Sequence, residues 1–318
     1  MTKPLLSIVA TMYRSAPYVD EFCDRISRAA TAITQDFEIV LVNDGSPDDS
    51  LELALKRRMQ DSKVRVVDLS RNFGHHQAIM AGLDSSLGQF VYLTDIDLEE
   101  QPEWIADFWQ AARDGGHDVV FGVQRERIAS PLSNLLASTF WWMLNISSKT
   151  RITRDQMTCR LMTRQFVDSL CQTRDKVLYL GGVFSWVGFQ QHALPLVKSP
   201  RPRGVRTTYG FLRKLSQAVD SITSFTAAPL TAFFLIGLVV WLGSITFGLW
   251  LIIHKIANPS SIQSGFTSLM FSLWFLGGLI IMGIGLVGQY VATLFQEVKD
   301  RPRYIVRTPE GADHDRGA

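Results

Sequence analysis

Residues 90–97 read Phe-Val-Tyr-Leu-Thr-Asp-Ile-Asp, and both the predicted fold class and the predicted chemistry rest on this segment. The run 90–94 is short, apolar and rich in aromatic and β-branched side chains, which is typical of a strand buried in a sheet. Two carboxylates follow it at once. In extended backbone, residues two apart point to the same side, so we expect Asp95 and Asp97 to face one space at the strand end.

The same pattern of an apolar run followed by polar side chains occurs three times earlier in the chain. The runs are 5–11, 37–42 and 64–69, and helical patterns cover 17–33, 50–60 and 76–86. Strands that alternate with helices predict an α/β fold with a mostly parallel sheet, whose ligand crevice lies at the carboxyl ends of the strands. We therefore expect Asp44 and Arg71, which follow the second and third runs, to lie near Asp95 and Asp97.

The two aspartates predict a site for a divalent cation. Carboxylate oxygens are hard ligands that suit Mg²⁺ or Mn²⁺, and an octahedral ion on two carboxylates keeps positions for two phosphate oxygens. Glu99, two residues further on, is the candidate third oxygen ligand. Two aspartates at this spacing are also common on solvated loops, but their place after a buried strand, at the same edge as Asp44 and Arg71, favours the cation site.

A dinucleotide-binding sheet is the first alternative for such a chain. That fold needs glycines in the turn after the first strand, so that the backbone can approach a pyrophosphate. The turn here reads Met12-Tyr13-Arg14-Ser15-Ala16 and contains no glycine. The sequence therefore excludes this alternative.

Charge is distributed unevenly along the 318 residues. Lys and Arg number 32 and Asp and Glu number 30, so the chain lacks the basic excess that nucleic-acid binding requires, and no nucleic-acid partner is expected. Residues 227–253 and 266–295 contain no charged side chain. Each stretch exceeds the roughly 20 apolar residues that cross a hydrocarbon core. We predict two transmembrane helices joined to a water-soluble domain that spans residues 1–206.

Basic flanks predict the orientation of these spans. Lys and Arg are concentrated in 198–214 before the first span and in 299–307 after the second, whereas the connecting loop 254–265 holds only Lys255. The positive-inside rule therefore predicts an external loop, with the soluble domain and the tail 296–318 on the cytoplasmic side of the inner membrane. Residues 207–226 are expected to form an interfacial helix. Glycines in the second span suggest a homo-oligomer through these helices as a hypothesis.

Six motifs occur in an order that resembles the inverting glycosyltransferase family 2. They are VNDGSPDDS (42–50), LSRNFGHHQAIMAGLD (69–84), LTDIDLEEQPE (93–103), DVVFGVQRER (118–127), RLMTRQFVDSL (160–170) and SFTAAPL (224–230). Within that family the chain is similar to the polyprenol-phosphate glycosyltransferases, a group that includes dolichol-phosphate mannose synthase-like and bactoprenol glucosyltransferase-like enzymes. The resemblance implies a Rossmann-like GT-A domain with a C-terminal transmembrane hairpin.

The resemblance also implies roles for single residues. Tyr13, Asp44 and Arg71 match positions that hold the nucleoside of a nucleotide-sugar, and Asp95 and Asp97 match the metal–diphosphate site.

Two departures from the family pattern concern the first turn and a missing acid. The family's opening commonly reads Pro-x-Tyr-Asn-Glu, of which only Tyr13 is retained here. Many members have Gly-Asp-Phe where this chain has Met157-Thr158-Cys159, so an acid is absent at Thr158.

A polyprenyl phosphate acceptor accounts for the membrane spans. Its attacking oxygen is already ionised at neutral pH, so a strong general base is hardly needed, and the main tasks are to position two anions and to stabilise the departing diphosphate. Arg125, Arg127 and Arg160 are the candidates for holding the acceptor phosphate, because guanidinium binds phosphate bidentately. The alternative interpretation is that these three residues are ordinary, solvated surface arginines. The expected catalytic residues are Asp97, Arg127 and Arg160.

The sequence thus predicts metal-dependent, inverting transfer of a hexose from a nucleotide-sugar to a membrane polyprenyl phosphate at the cytoplasmic face. The resemblance favours glucose from UDP-glucose, with GDP-mannose and other UDP-sugars open. One alternative is a processive polysaccharide synthase, although the chain lacks a Gln-x-x-Arg-Trp motif and has few spans. The other alternative is a non-catalytic, membrane-anchored binding protein. The departures from the family pattern in the first turn and at Thr158 favour it, whereas the presence of both Asp95 and Asp97 argues against it.

Overall fold

Seven strands form one mixed sheet in the computed structural model. The strands are β1 (Leu6–Met12), β2 (Phe37–Asn43), β3 (Val64–Asp68), β4 (Phe90–Asp95), β5 (Val119–Gln124), β6 (Gln156–Thr163) and β7 (Gln191–Leu196). Their order is β3-β2-β1-β4-β6-β5-β7. Every pair is parallel except those of β6, which runs antiparallel to β4 and β5. This is the GT-A-like α/β fold with a mostly parallel sheet that the sequence predicts.

The structure describes residues 3–124, 153, 155–173, 180–197, 266–299 and 301–307, and scattered positions between 230 and 250. Contacts divide the chain into two units. One comprises Met1–Ser138, Thr150–Tyr209 and Arg301–Ala318, and it holds the sheet. The other comprises Thr139–Lys149 and Gly210–Asp300, and it holds a long apolar helix.

Helices cover both faces of the sheet. They are α1 (Val19–Thr31), α2 (Ser50–Gln60), α3 (His75–Ser85), α4 (Ile105–Gly115), α5 (Arg164–Cys171) and α6 (Leu180–Trp186), and a 3₁₀ turn at Pro102–Trp104 precedes α4. On one face, Phe22 of α1 and Phe108 of α4 join the buried core. On the other face lies α3, which packs closely against β1 at Gly82. A Cβ at this position would lie 2.4 Å from Val9 Cγ1, so only glycine fits there. Because both faces are covered, β1 and β2 are buried at every position, which explains their continuous apolar runs.

Parallel pairing brings the carboxyl ends of the central strands together. Met12 of β1 lies opposite Asn43 of β2, and Thr11 of β1 lies opposite Asp95 of β4. The residues that follow these strands therefore share one edge of the sheet.

The last helix, α7 (Phe266–Val298), contains the predicted second span, 266–295. Its stretch Phe275–Phe295 has a mean hydropathy of 1.8 and is only 6% buried, whereas the core helix of a soluble protein is mostly buried. Within the described part of the chain, this is the one helix long and apolar enough to cross a membrane. The predicted first span, 227–253, falls mostly outside the described residues, as do the predicted segments 207–226 and 254–265.

We expect Phe108→Ala to lower the free energy of unfolding by about 3–5 kcal/mol, the usual effect of emptying a buried aromatic site. Phe108 is fully buried, and its ring meets Tyr92 edge-on at a centroid distance of 5.5 Å. Thermal melting of the full-length protein in detergent measures the effect. The control is Met59→Ala on α2, because the Met59 side chain is 82% exposed. The melting temperature of this variant should equal that of the unchanged protein. Equal melting temperatures for the two variants would contradict this packing.

Candidate active site

Asp95 and Asp97 lie at the open end of β4. The strand ends at Asp95 and the backbone turns at Ile96, so the extended conformation that we expected to continue to Asp97 is not observed. Ile96 is buried in the core, while both aspartates are half-buried. Asp97 Oδ1 accepts a hydrogen bond from the backbone N–H of Glu99 at 3.1 Å. The buried isoleucine therefore anchors the turn, and the two carboxylates on either side of it stay accessible.

The sequence pattern does not predict Glu100, which holds this turn from inside. Its carboxylate is fully buried and accepts hydrogen bonds from the backbone N–H of Asp95 at 3.2 Å and that of Thr158 at 3.0 Å. Thr94 Oγ1 donates to the same carboxylate at 3.4 Å. Glu100 thus connects the end of β4 to β6. Three donors from two strands offset the cost of burying a carboxylate.

The described residues contain no group of three or more His, Cys, Asp or Glu side chains arranged to hold a metal ion. The set of Asp95, Asp97 and Glu99 is not among such groups, and its role as a ligand set stays a prediction. Two accessible aspartates are nevertheless a donor set that fits Mg²⁺ or Mn²⁺, because such ions commonly keep several waters and take further oxygens from substrate phosphates.

His75, another residue that the sequence pattern does not predict, stands beside the aspartates. It is the first residue of α3, and its Nδ1 lies 3.2 Å from Thr11 Oγ1. Its Nε2 lies 3.6 Å from Asp95 Oδ1. The imidazole therefore bridges the carboxyl ends of β1 and β4.

Asp44 follows β2 and is buried, in contrast to the two aspartates after β4. It accepts hydrogen bonds from the backbone N–H of Phe73 at 2.7 Å and that of Gly74 at 3.0 Å. Burial raises the pKa of the Asp44 carboxyl, although these two donors act in the opposite direction. Asp44 thus fixes the loop that precedes α3. It is also one of the residues predicted to contact the nucleoside.

Gly45 and Arg71 show how closely the loops after β2 and β3 approach each other. Gly45 has a φ of 58°, and a Cβ there would stand 2.5 Å from the carbonyl carbon of Arg71. The Arg71 side chain is exposed, with its guanidinium carbon 4.0 Å from the centroid of the Phe73 ring. Tyr13, directly after β1, is 47% exposed. The three residues predicted to hold a nucleoside therefore follow three adjacent strands at one edge.

Arg160 lies inside the protein, so its interpretation as a solvated surface arginine is wrong. It is 3% exposed in the middle of β6, where its Nε donates to Thr158 O at 3.1 Å and its Nη2 to Met157 O at 2.8 Å. Its guanidinium carbon lies 3.5 Å from the centroid of the Phe184 ring in α6. Its described hydrogen bonds thus go to the backbone of its own strand.

The burial of Arg160 changes its acid–base properties. It lowers the pKa of the guanidinium to about 10, and negative groups that include Glu100 and Asp95 act in the opposite direction. Arg160 is therefore a buried cation next to the carboxylate turn. The other two candidates for the acceptor phosphate, Arg125 and Arg127, lie outside the described residues.

Comparisons with known proteins show the family of this chain. The model of the family described as "Glycosyl transferase family 2" matches residues 7–169, which include every candidate residue above. A Mycobacterium tuberculosis protein (strain CDC 1551 / Oshkosh), whose name places it among the glycosyltransferases, is 41% identical over 97% of this chain and 89% of its own length. The chain belongs to glycosyl transferase family 2. The protein is therefore a glycosyltransferase, and the expectation of a family 2 member is confirmed.

Other similarities extend over nearly the whole chain. The SfII prophage-derived bactoprenol glucosyl transferase of Shigella flexneri is 31% identical over 95% of this chain and 97% of its own. A solved structure of the mannosyltransferase PcManGT from Pyrobaculum calidifontis, in complex with GDP-Man and Mn²⁺, aligns over 95% of this chain and 89% of that chain. Its TM-score is 0.45 at 15% identity, a similarity too low to inform the site.

We expect Gly45→Ala to displace the loop at residues 70–74, because the added Cβ collides with the Arg71 and Asn72 backbone. The matched control is Gly116→Ala, which has a similar φ of 61° but nothing within 4 Å of the new Cβ. Both variants carry the same kind of backbone strain, and only the first adds a clash. Hydrogen exchange at the Phe73 and Gly74 amides should accelerate in Gly45→Ala alone. Equal exchange in both variants would rule out the close approach.

Proposed function

We propose that this glycosyltransferase transfers a hexose with inversion from a nucleotide-sugar to a membrane polyprenyl phosphate. The observation that carries the proposal is the shared sheet edge, where Asp44 and Arg71 follow β2 and β3 and the accessible Asp95 and Asp97 end β4. Glucose from UDP-glucose is the proposed donor. The Shigella flexneri relative, named a bactoprenol glucosyl transferase, supports both the sugar and the lipid.

The donor is proposed to bind across the ends of β1, β2 and β3. Tyr13 offers an exposed ring, Asp44 an acceptor held in place by two N–H groups, and Arg71 an exposed cation. These are the group types that hold a base, a ribose and a phosphate. The diphosphate would then lie towards Asp95 and Asp97, because β1 joins β2 to β4 in the sheet.

Asp95 and Asp97 are proposed to hold Mg²⁺ or Mn²⁺, with Glu99 as the candidate third ligand. When bound, the ion would supply positive charge that stabilises the leaving diphosphate, whose negative charge grows as the bond to the sugar breaks. His75 stands against Asp95 and Thr11, so it is suited to keep the Asp95 carboxylate in one orientation.

The acceptor phosphate is proposed to attack the anomeric carbon directly, which inverts that centre while the bond to the diphosphate breaks. The acceptor oxygen is already anionic, so the absence of an acid at Thr158 leaves the reaction intact. Arg125 and Arg127 are proposed to hold this phosphate. Arg160 would act from within the protein as a buried cation, since its described hydrogen bonds go to Met157 and Thr158.

The apolar surface of α7 supports attachment to the inner membrane. Together with the charge-free stretch 227–253 and its basic flanks, it favours two spans with the catalytic unit on the cytoplasmic side. Gly277, Gly278, Gly285 and Gly288 of α7 have nothing within 4 Å of an added Cβ. Such a small-residue surface suits close approach by a second copy, and a homo-oligomer through the spans is part of the proposal.

A donor panel tests the reaction. Purified full-length protein, undecaprenyl phosphate and Mn²⁺ or Mg²⁺ are incubated with labelled UDP-glucose, GDP-mannose and other UDP-sugars. We expect label from UDP-glucose to enter an organic-extractable lipid. Polymeric product would instead favour a processive synthase, and failure with every donor in well-folded protein would favour a binding protein without activity.

Asp97→Ala should reduce transfer by about 10³-fold or more without unfolding the protein, because the diphosphate loses its metal-binding partner. The measurement combines the initial rate of lipid glycosylation with thermal melting. Asp114→Ala, at an exposed aspartate of α4, is the control and should retain full activity. A fully active Asp97→Ala variant would refute the metal assignment.

A further inference from the structure

The residues after α7, which we call the C-terminal strap (301–307), form a short pairing with β3. Leu69 and Val306 make an isolated antiparallel bridge. The Ser70 N–H donates to Ile305 O at 2.8 Å, and the Arg307 N–H donates to Asp68 O at 2.7 Å. The strap and the sheet belong to the same unit of the chain. The strap therefore adds to the edge strand at the point where β3 ends and the Arg71 loop begins.

Side chains of the strap hold the same region at two more points. Tyr304 OH donates to Asp84 Oδ2 at 2.8 Å, near the end of α3, and burial together with this carboxylate raises the pKa of the Tyr304 hydroxyl. Arg307 Nη2 donates to Ser70 O at 3.2 Å, and its Nε lies 3.7 Å from Asp68 Oδ2. The strap thus extends from the last turn of α3 to the loop that leads into α3.

The strap contacts residues that are direct neighbours of the proposed nucleoside contacts. Ser70 precedes Arg71 in the chain. Asp68 accepts a hydrogen bond from Asn43 Nδ2 at 2.7 Å, and Asn43 precedes Asp44. On its other side, the same loop is held by the Asp44 carboxylate through the N–H groups of residues 73 and 74. The loop that carries Arg71 is therefore held between Asp44 and the strap.

We propose that the C-terminal strap is a positioning element for the nucleotide-sugar. By fixing Asp68 and Ser70, it keeps the Arg71 loop in the conformation that binds the donor, so its removal weakens donor binding and leaves the transfer step intact. The inference rests on the proposed function, because it takes Arg71 and Asp44 as donor contacts. Two residues separate the strap from Val298, the last residue of α7, so donor binding depends on the chain directly after the apolar helix.

The test uses the full chain and a chain that stops after Asp300, which keeps α7 and removes the strap. The control stops after Arg307 and removes only residues 308–318. We expect the first truncation to raise the Kd for UDP and the KM for the sugar donor about tenfold, the effect of losing one or two hydrogen bonds. The kcat and the KM for polyprenyl phosphate should change less than twofold. The control should match the full chain.

Two point variants keep the test valid if the truncated chain fails to fold. Arg307→Pro removes the backbone donor to Asp68 O along with the side chain, whereas Arg307→Ala keeps that N–H. We expect a clear rise in the UDP Kd and faster hydrogen exchange at residues 70–74 for Arg307→Pro, with a smaller rise for Arg307→Ala.

The outcomes separate this inference from the proposed function. If Arg307→Pro binds UDP as tightly as the unchanged protein, the positioning role is overturned, even if the melting temperature falls. A fall in kcat with an unchanged donor KM would overturn it as well. If the unchanged protein itself binds no nucleotide, the proposed function fails and this inference fails with it.

Discussion

The in-register parallel pairing of β2, β1 and β4 is the constraint on which the site depends. It sets Met12 against Asn43 and Thr11 against Asp95, so the chain leaves three adjacent strands at one edge of the sheet. A shift of one residue in any of these pairs would exchange the side chains of a strand between the two faces of the sheet and move the residues after that strand out of alignment with their neighbours. Because helices cover both faces, most positions of the central strands are apolar, and the accessible carboxylates lie at the strand ends or in the loops after them.

Buried polar side chains then hold those loops against one another. Asp44 joins the end of β2 to the loop before α3, and Glu100 joins the end of β4 to β6. Each carboxylate accepts two or more hydrogen bonds, which a buried polar group needs if its desolvation is to be offset. Arg160 adds a buried cation next to Glu100 and Asp95. The edge is therefore preorganised before any ligand binds, which is the condition for selective stabilisation of a developing diphosphate charge.

The apolar runs of the sequence predict β1 to β4 to within a residue at most ends, because buried parallel strands are continuous apolar segments. They do not predict β6, since that strand contains Arg160 and its place between β4 and β5 depends on pairing between distant residues. The polar residues after the strands predict Asp44, Arg71, Asp95 and Asp97. Glu100 leaves no such signal, because its burial depends on Thr158, which lies 58 residues further along the chain.

In this family 2 glycosyltransferase the proposed donor contacts, the carboxylates and the C-terminal strap belong to one unit, and α7 supplies an apolar surface in the other. The nucleotide-sugar is proposed to bind at the carboxyl ends of β1, β2, β3 and β4. Electron cryomicroscopy of the full-length protein in lipid nanodiscs, with UDP and Mn²⁺ at saturating concentrations, tests this proposal most directly. We expect a nucleoside against Asp44 and Arg71 and a metal-bound diphosphate at Asp95 and Asp97. A nucleotide bound elsewhere on the protein, with this edge empty, would contradict it.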